Sequence, residues 1–179
     1  MTRACRSGTG CGLADFDPYV RWIASQPFWI SGGDGSTLRR HAPDLLLRTT
    51  SGDTVVDVEP EPLLDEPAVA EVLAWTGRLC AAKGWTYEVW SGADPVLLRN
   101  VRFLATARRS VLVDETAVAK LAAHLQPGMT VAEVEAGVTL DATAARAAAL
   151  VLLWRGRWVT DLARPLSRQS VLQPGAVAA

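Results

Sequence analysis

The chain has 179 residues, 49% of them hydrophobic, and a formal net charge of −1 at pH 7, which excludes a largely disordered chain and suits one compact domain followed by a smaller one. No apolar run approaches the ~20 residues needed to cross a bilayer, and the opening MTRACRSGTGCGL lacks the apolar stretch of a signal peptide, so no membrane partner is expected and the expected location is cytoplasmic. The near-neutral charge also excludes a global basic field, although the cations are almost all arginine, which suits bidentate phosphate contacts.

Residues 1–13 are small, polar and glycine-containing, and are expected to be disordered. Three cysteines, Cys5, Cys11 and Cys80, form no CxxC pair and leave one over, so neither a disulfide framework nor a zinc site is expected; Cys80, on an apolar helical face, reads as core. From Ala14 the chain reads as a short helical turn or loop leading into a strand at Phe28 to Ser31, closed by a Gly-Gly-Asp-Gly turn. Residues 40–49 and 54–59 read as two strands of a hairpin. A helix is predicted from Pro67 to Lys83, stopped by Gly84, and WTYEVW then reads as an internal strand, so a crossover in a mixed sheet is expected. Asp94 as N-cap and Pro95 at the first helical position begin a second helix.

The character changes near residue 110, where a domain boundary is placed: residues 14–109 form the first domain, 110–172 the second and 173–179 a tail. VDETAVAKLAAHLQ reads as a helix ended by Pro127-Gly128, Thr130 and Glu133 form a capping box, and DATAARAAALVLLWRG is an alanine-rich helix. A strand or short hairpin follows in GRWVTDLARPLS, and helix, turn, helix, ribbon is the order of a winged helix.

The stretch RRHAPDLLLRTTSGDTVVDVEPE, residues 39–61, places acidic groups where an apolar strand would carry none. With Ser51-Gly52 at the centre of the turn, Leu47 pairs with Val56, Leu45 with Val58 and Asp44 with Glu59. Alternation then puts Leu45, Leu47, Val56 and Val58 on one face and Asp44, Leu46, Asp57 and Glu59 on the other. Opposed Cβ atoms lie ~5 Å apart and diagonal ones ~7 Å, so the three carboxylates converge, and protons, arginines or hard divalent cations must neutralise them. A hydrated, solvent-facing surface is the competing reading of the same pattern, and a shift of one residue would scatter the cluster.

Pro43-Asp44, a spacer and Asp57-Val58-Glu59 resemble the PD-(D/E)xK arrangement of restriction-endonuclease-like nucleases, with Glu59 in the lysine place. SQPFWI, RRHAPDLLLR, VVDVEP, CAAKGWTYEVW, DPVLLRNVRFLA and LLWRGRWVTDLARPLS together resemble the TnsA-like endonuclease subunit of heteromeric transposases, from about Asp15 onward. The resemblance implies an α/β fold, a restriction-endonuclease-like mixed sheet flanked by helices and followed by a small winged-helix-like α+β domain. It implies a subunit that nicks one DNA strand at transposon ends beside an integrase-type transposase subunit, with an ATPase regulator of transposition bound through the C-terminal domain. Carried over residue by residue, Asp44 is the central ligand of Mg²⁺ or Mn²⁺, Asp57 the second, the Val58 carbonyl is available to the same ion, and Glu59 acts as base or ligand. Arg39, Arg40 and His41 are the expected DNA contacts. The family also carries a catalytic glutamate on a helix ahead of the segment matching LADFDP, which this opening does not supply, so the chain is expected to be shortened at its N-terminus. A catalytically impaired assembly or DNA-binding subunit is therefore the alternative to an active endonuclease.

Outside that segment, His41 also reads as a hydrogen-bonded strand-edge histidine and His124 as a partner of its helix dipole. Trp85, Tyr87 and Trp90 read as core, and Glu61 as a solvated loop residue. Arg99, Arg102, Arg108 and Arg109, and then Arg155, Arg157, Arg164 and Arg168, fit phosphate contacts and solvated helix faces equally well.

Overall fold

Residues 9–108 and 114–176 are described by a computed structural model, and the chain divides into two units that break between Ala93 and Asp94. The N-terminal unit runs α1 (Thr9–Phe16), β1 (Val20–Ser25), β2 (Ile30–Asp34), β3 (Thr37–His41), β4 (Leu45–Thr49), β5 (Asp53–Val58), α2 (Glu61–Leu64), α3 (Pro67–Ala82) and β6 (Thr86–Trp90). Strands β1, β4, β5 and β6 form one mixed sheet in that order, antiparallel except for the parallel β5–β6 pair. A parallel pair cannot be joined by a tight turn, and α3 makes the crossover. Strands β2 and β3 form a separate ribbon between β1 and β4 in sequence. Gly35, at φ 62°, supplies the left-handed conformation that its two-residue turn needs.

The two sheet faces differ as alternation requires. Leu45, Leu47 and Val56 pack with Cys11, Ala14, Val20 and Ile23, and Val58 and Trp90 border this cluster. Each such buried aliphatic side chain contributes about 1.5–3 kcal/mol relative to exposure. Helix α1 approaches this face so closely that a Cβ on Gly10 would meet Val58 Cγ2 at 3.1 Å. On the opposite face Val55 and Asp57 share a side with Tyr87, and a Cβ on Gly77 of α3 would meet Tyr87 Cδ1 at 3.0 Å.

Several expectations are corrected. Helix α1 occupies part of the stretch expected to be disordered, whose residues 1–8 lie outside the described residues. Cys11 is disulfide-bonded, whereas no disulfide framework was expected. The span 20–25, expected as turn or loop, is strand β1. The expected strand 40–49 is cut at buried Pro43, which cannot donate to a ladder, leaving β3 and β4. Strand β6 lies at the edge of its sheet rather than inside it.

The β4–β5 register also differs from the expected one. Leu45 pairs with Val56 and Leu47 with Thr54, two residues away from the predicted partners. The cause is the turn: Thr49 closes a four-residue loop by donating its N–H to the Gly52 carbonyl at 2.8 Å, while Thr49 Oγ1 accepts from Ser51 N at 3.1 Å. A shift of two preserves the faces, so the separation of apolar and acidic residues survives.

The C-terminal unit contains α4 (Pro95–Leu104) with a 3₁₀ turn to Arg108, α5 (Glu115–His124), α6 (Val131–Gly137), α7 (Ala142–Trp154), β7 (Trp158–Val159) and β8 (Gln173–Pro174). Asp94, Asp114 and Asp141 each accept two backbone N–H groups as N-caps, and the Thr130–Glu133 capping box is present, each cap stabilising its helix by about 1 kcal/mol. Helices α5 and α6 pack on α7, whose buried residues include Ala145, Ala148, Ala149 and Leu152. The expected tail supplies β8, which pairs with β7. The break precedes the expected boundary near residue 110 because buried Asn100 ties α4 into this unit. Its Nδ2 donates to the carbonyls of Leu162 and Arg164 at 2.9 and 2.7 Å, and its Oδ1 accepts from Leu166 N at 3.2 Å. Arg109 lies outside the described residues.

Candidate active site

Past the last β4–β5 pair, the observed register sets Asp44 opposite Asp57, where Asp44 had been expected opposite Glu59. Asp44 immediately precedes β4, and its side chain replaces the missing ladder partner: Asp44 Oδ2 accepts from Val58 N at 2.8 Å. The Asp44 carbonyl accepts from Gln26 N at 2.8 Å. Gln26, at φ 45°, is in the left-handed region that few non-glycine residues adopt.

Asp57 is 1% exposed. A bare carboxylate there would be prohibitively costly, and three donors meet it. Tyr87 OH donates to Oδ2 at 2.6 Å, His41 Nε2 lies 2.9 Å from the same oxygen, and Asp44 N donates to Oδ1 at 3.3 Å. The hydrogen bond to Asp57 raises the pKa of His41, against the opposing effect of burial, with further support from the charges of Asp57, Asp44 and Glu59. Burial first, and then the Asp57 hydrogen bond, push the Tyr87 phenol far above its usual range, so it remains a donor.

The expected site residues therefore separate. Asp44, Asp57 and His41 come together, with half-buried Glu59 close enough for its charge to act on His41 and Tyr87. Glu59 is anchored through its backbone, N–H to the Trp90 carbonyl at 3.0 Å. Val58 meets Asp44 through its amide N–H. Arg39 faces inward and pairs with Asp34 at 2.8 Å and Glu71 at 2.7 Å, so its guanidinium is engaged by carboxylates of the chain itself. Arg40 faces outward, its guanidinium 4.1 Å from the centroid of the Trp29 ring. Glu61, expected in a loop, opens α2 and is exposed. Tyr87, read from sequence as core, is the unforeseen member. Only the β5–β6 register, which sets Val55 against Tyr87, puts it on the Asp57 side.

A carboxylate offers about four lone-pair sites. Three donors use three at Asp57, leaving room on Oδ1, while the Asp44 side chain accepts from Val58 N on Oδ2. Oxygen donors of this kind suit Mg²⁺, which is commonly held by one or two carboxylates with water and phosphate completing the shell. Among the described residues no group of three or more His, Cys, Asp or Glu side chains is arranged as a metal cage.

No helix among the described residues is long and apolar enough to cross a membrane. No protein-family model matches the chain, and no curated protein matches it.

Proposed function

We propose that this chain is a TnsA-like endonuclease subunit of a heteromeric transposase, nicking one DNA strand at transposon ends. The observation that carries the reading is the meeting of Asp44 and Asp57 on one side of a mixed sheet, at neighbouring strand positions, with lone pairs left over. In this reading the N-terminal unit is restriction-endonuclease-like, and α5 to α7 with the β7–β8 ribbon form a winged-helix-like module. That module would bind the ATPase regulator, while an integrase-type subunit cuts and joins the other strand.

Asp44 and Asp57 Oδ1 would hold Mg²⁺ or Mn²⁺, and such an ion supplies charge neutralisation at phosphorus and a more acidic water. The protein's own residues do the positioning. Tyr87 and His41 fix Asp57 in one orientation, and Asp57 in turn holds the backbone of Asp44. Val58 N fixes the Asp44 side chain. Glu59, in the place of the usual lysine, is available to take a proton from the attacking water.

Mg²⁺-dependent nicking of transposon-end DNA should appear with the partner transposase present, and Asp44→Ala should abolish it while the complex still forms. Nicking that survives both Asp44→Ala and Asp57→Ala would overturn the site. The enclosure of Asp57 and the acidic residue at position 59 favour a second reading, an assembly subunit without catalysis. That reading predicts complex formation with no nicking at any divalent ion concentration.

A further inference from the structure

A groove of about 290 Å³ opens on the C-terminal unit, between α4, α6, α7 and the loop that precedes β8. Phe103, Val131, Leu150, Leu153 and Leu166 form its apolar walls, and the Phe103 side of it is open, that residue being 49% exposed. Hydrogen bonds fix the walls from behind. Asn100 of α4 accepts from Leu166 N, and the Arg168 carbonyl accepts from Ala132 N of α6 at 2.8 Å. The groove is therefore preformed, and a ligand need not order it.

Its rim is positive. Arg146 of α7 and Arg168 of the loop share the Glu135 carboxylate, Arg146 Nε donating to Oε1 at 2.8 Å and Arg168 Nε to Oε2 at 3.1 Å. The Glu135 side chain is enclosed at 4% exposure, whereas the two arginine side chains are 54% and 65% exposed. Two cations over one anion leave a net positive charge at the solvent edge of the apolar walls, and each guanidinium carries five N–H donors, more than one shared carboxylate can use. Glu135 is the single acidic residue among the described lining residues.

The whole unit has the same sign. Residues 94–179 contain ten Lys and Arg against seven Asp and Glu, while residues 1–93 contain eight against twelve. The other six carboxylates of this unit are engaged within the chain: Asp94, Asp114, Asp141 and Glu133 cap helices, Glu115 pairs with Arg155 and Asp161 with Arg164. What covers the groove must then bring apolar side chains for its walls and negative charge for its rim. Duplex DNA brings the charge alone, because its phosphates meet protruding cations and leave concave apolar walls unfilled. The volume also lies at the low end of the ~300–1,000 Å³ of small-molecule and cofactor clefts, which suits a side chain better than a cofactor.

We propose that this groove docks an acidic segment of a partner protein, a large apolar side chain seated among Phe103, Leu150 and Leu166 and a flanking Asp or Glu on Arg146 and Arg168. The site lies within the C-terminal unit and uses none of the residues around the carboxylate pair. That the partner is a subunit of a transposase rests on the reading given above; the chemistry of the segment does not.

The test is selection of a phage-displayed library of random dodecapeptides on the full chain, followed by anisotropy of the enriched peptide with a fluorescent label. Enriched sequences should share a large apolar residue close to Asp or Glu. Phe103→Ser, which leaves the Arg146–Glu135–Arg168 cluster intact, should weaken the labelled peptide about tenfold, as loss of a central apolar contact does. Arg168→Gln should weaken it about two- to fivefold, the effect of removing a partly exposed ion pair, and raising NaCl from about 50 to about 500 mM should weaken native binding in the same direction. Circular dichroism checks that each variant is folded. Absence of enrichment, enriched peptides without acidic residues, or an affinity that a folded Phe103→Ser chain retains would overturn the proposal. Duplex DNA bound by the native chain and weakened by Arg168→Gln, with no peptide enriched, would overturn it in favour of a nucleic-acid contact. The assay contains no cleavage step, so failed selection with intact nicking sinks the groove alone, and absent nicking with intact peptide binding sinks the catalytic reading alone.

Discussion

Replacing Tyr87 by phenylalanine removes one oxygen atom and leaves the ring in its place against α3. The lost interaction is the 2.6 Å hydrogen bond to Asp57 Oδ2, made to a carboxylate that is 1% exposed. A hydrogen bond to a charged group contributes about 1.5–3 kcal/mol, and the enclosed position of Asp57 argues for the upper half of that range. No cavity of consequence opens, because the deleted atom is small and the ring keeps its contact with Gly77. His41 and Asp44 N remain as donors, so Asp57 is weakened and not stranded. For a urea dependence of ~1–3 kcal/mol/M, the loss corresponds to a fall of roughly 1 M in the unfolding midpoint of the N-terminal unit. Circular dichroism at pH 7 follows it. A shift below about 0.2 M would refute the reasoning, since ~0.5 kcal/mol is what exchange of one hydrogen bond for water costs, and Asp57 would then not be enclosed.

Gly77→Ala places a methyl group 3.0 Å from Tyr87 Cδ1 and should cost about 1–3 kcal/mol in the same denaturation experiment, because Tyr87 and α3 cannot both stay in place. The His41 pKa is raised by Asp57, so its contribution to stability is fully present below the unfolded value of ~6.5 and is lost as pH rises through the higher folded value. Denaturation midpoints from pH 5 to 9 should fall across that window in the native chain and lose this dependence in His41→Ala. In the C-terminal unit, Arg146 at 2.8 Å and Arg168 at 3.1 Å hold the Glu135 carboxyl below its usual range. That contribution is present above the unfolded value of ~4.3 and lost as pH falls through the lower folded value, and Glu135→Gln should remove the acid-side drop in thermal stability.

Helices α3 to α7 and the β5–α3–β6 crossover were legible in the sequence because caps, turn glycines and apolar spacing agreed there. Strand β1 was not, for a physical reason. Its register shifts between Val20 and Trp22, so its two buried residues, Val20 and Ile23, stand three apart and imitate helical spacing. Helix α1 was hidden by Gly10 and Gly12, poor helix formers; at Gly10 the missing Cβ permits close approach to Val58 and Trp90. In the hairpin, the threonine-closed loop moved the register by two, which no count of turn residues resolved, yet the parity that places Asp44 with Asp57 was immune to the error. Arg39, Arg40 and His41 were read as one basic run. The ribbon alternates them, so two serve internal carboxylates and one faces outward.

The carboxylate pair is tested most directly by calorimetric titration of the full chain with Mn²⁺ beside the isosteric Asp44→Asn variant. Saturable binding by the native chain that disappears in the variant is the predicted result, and identical titrations of the two chains would contradict the account.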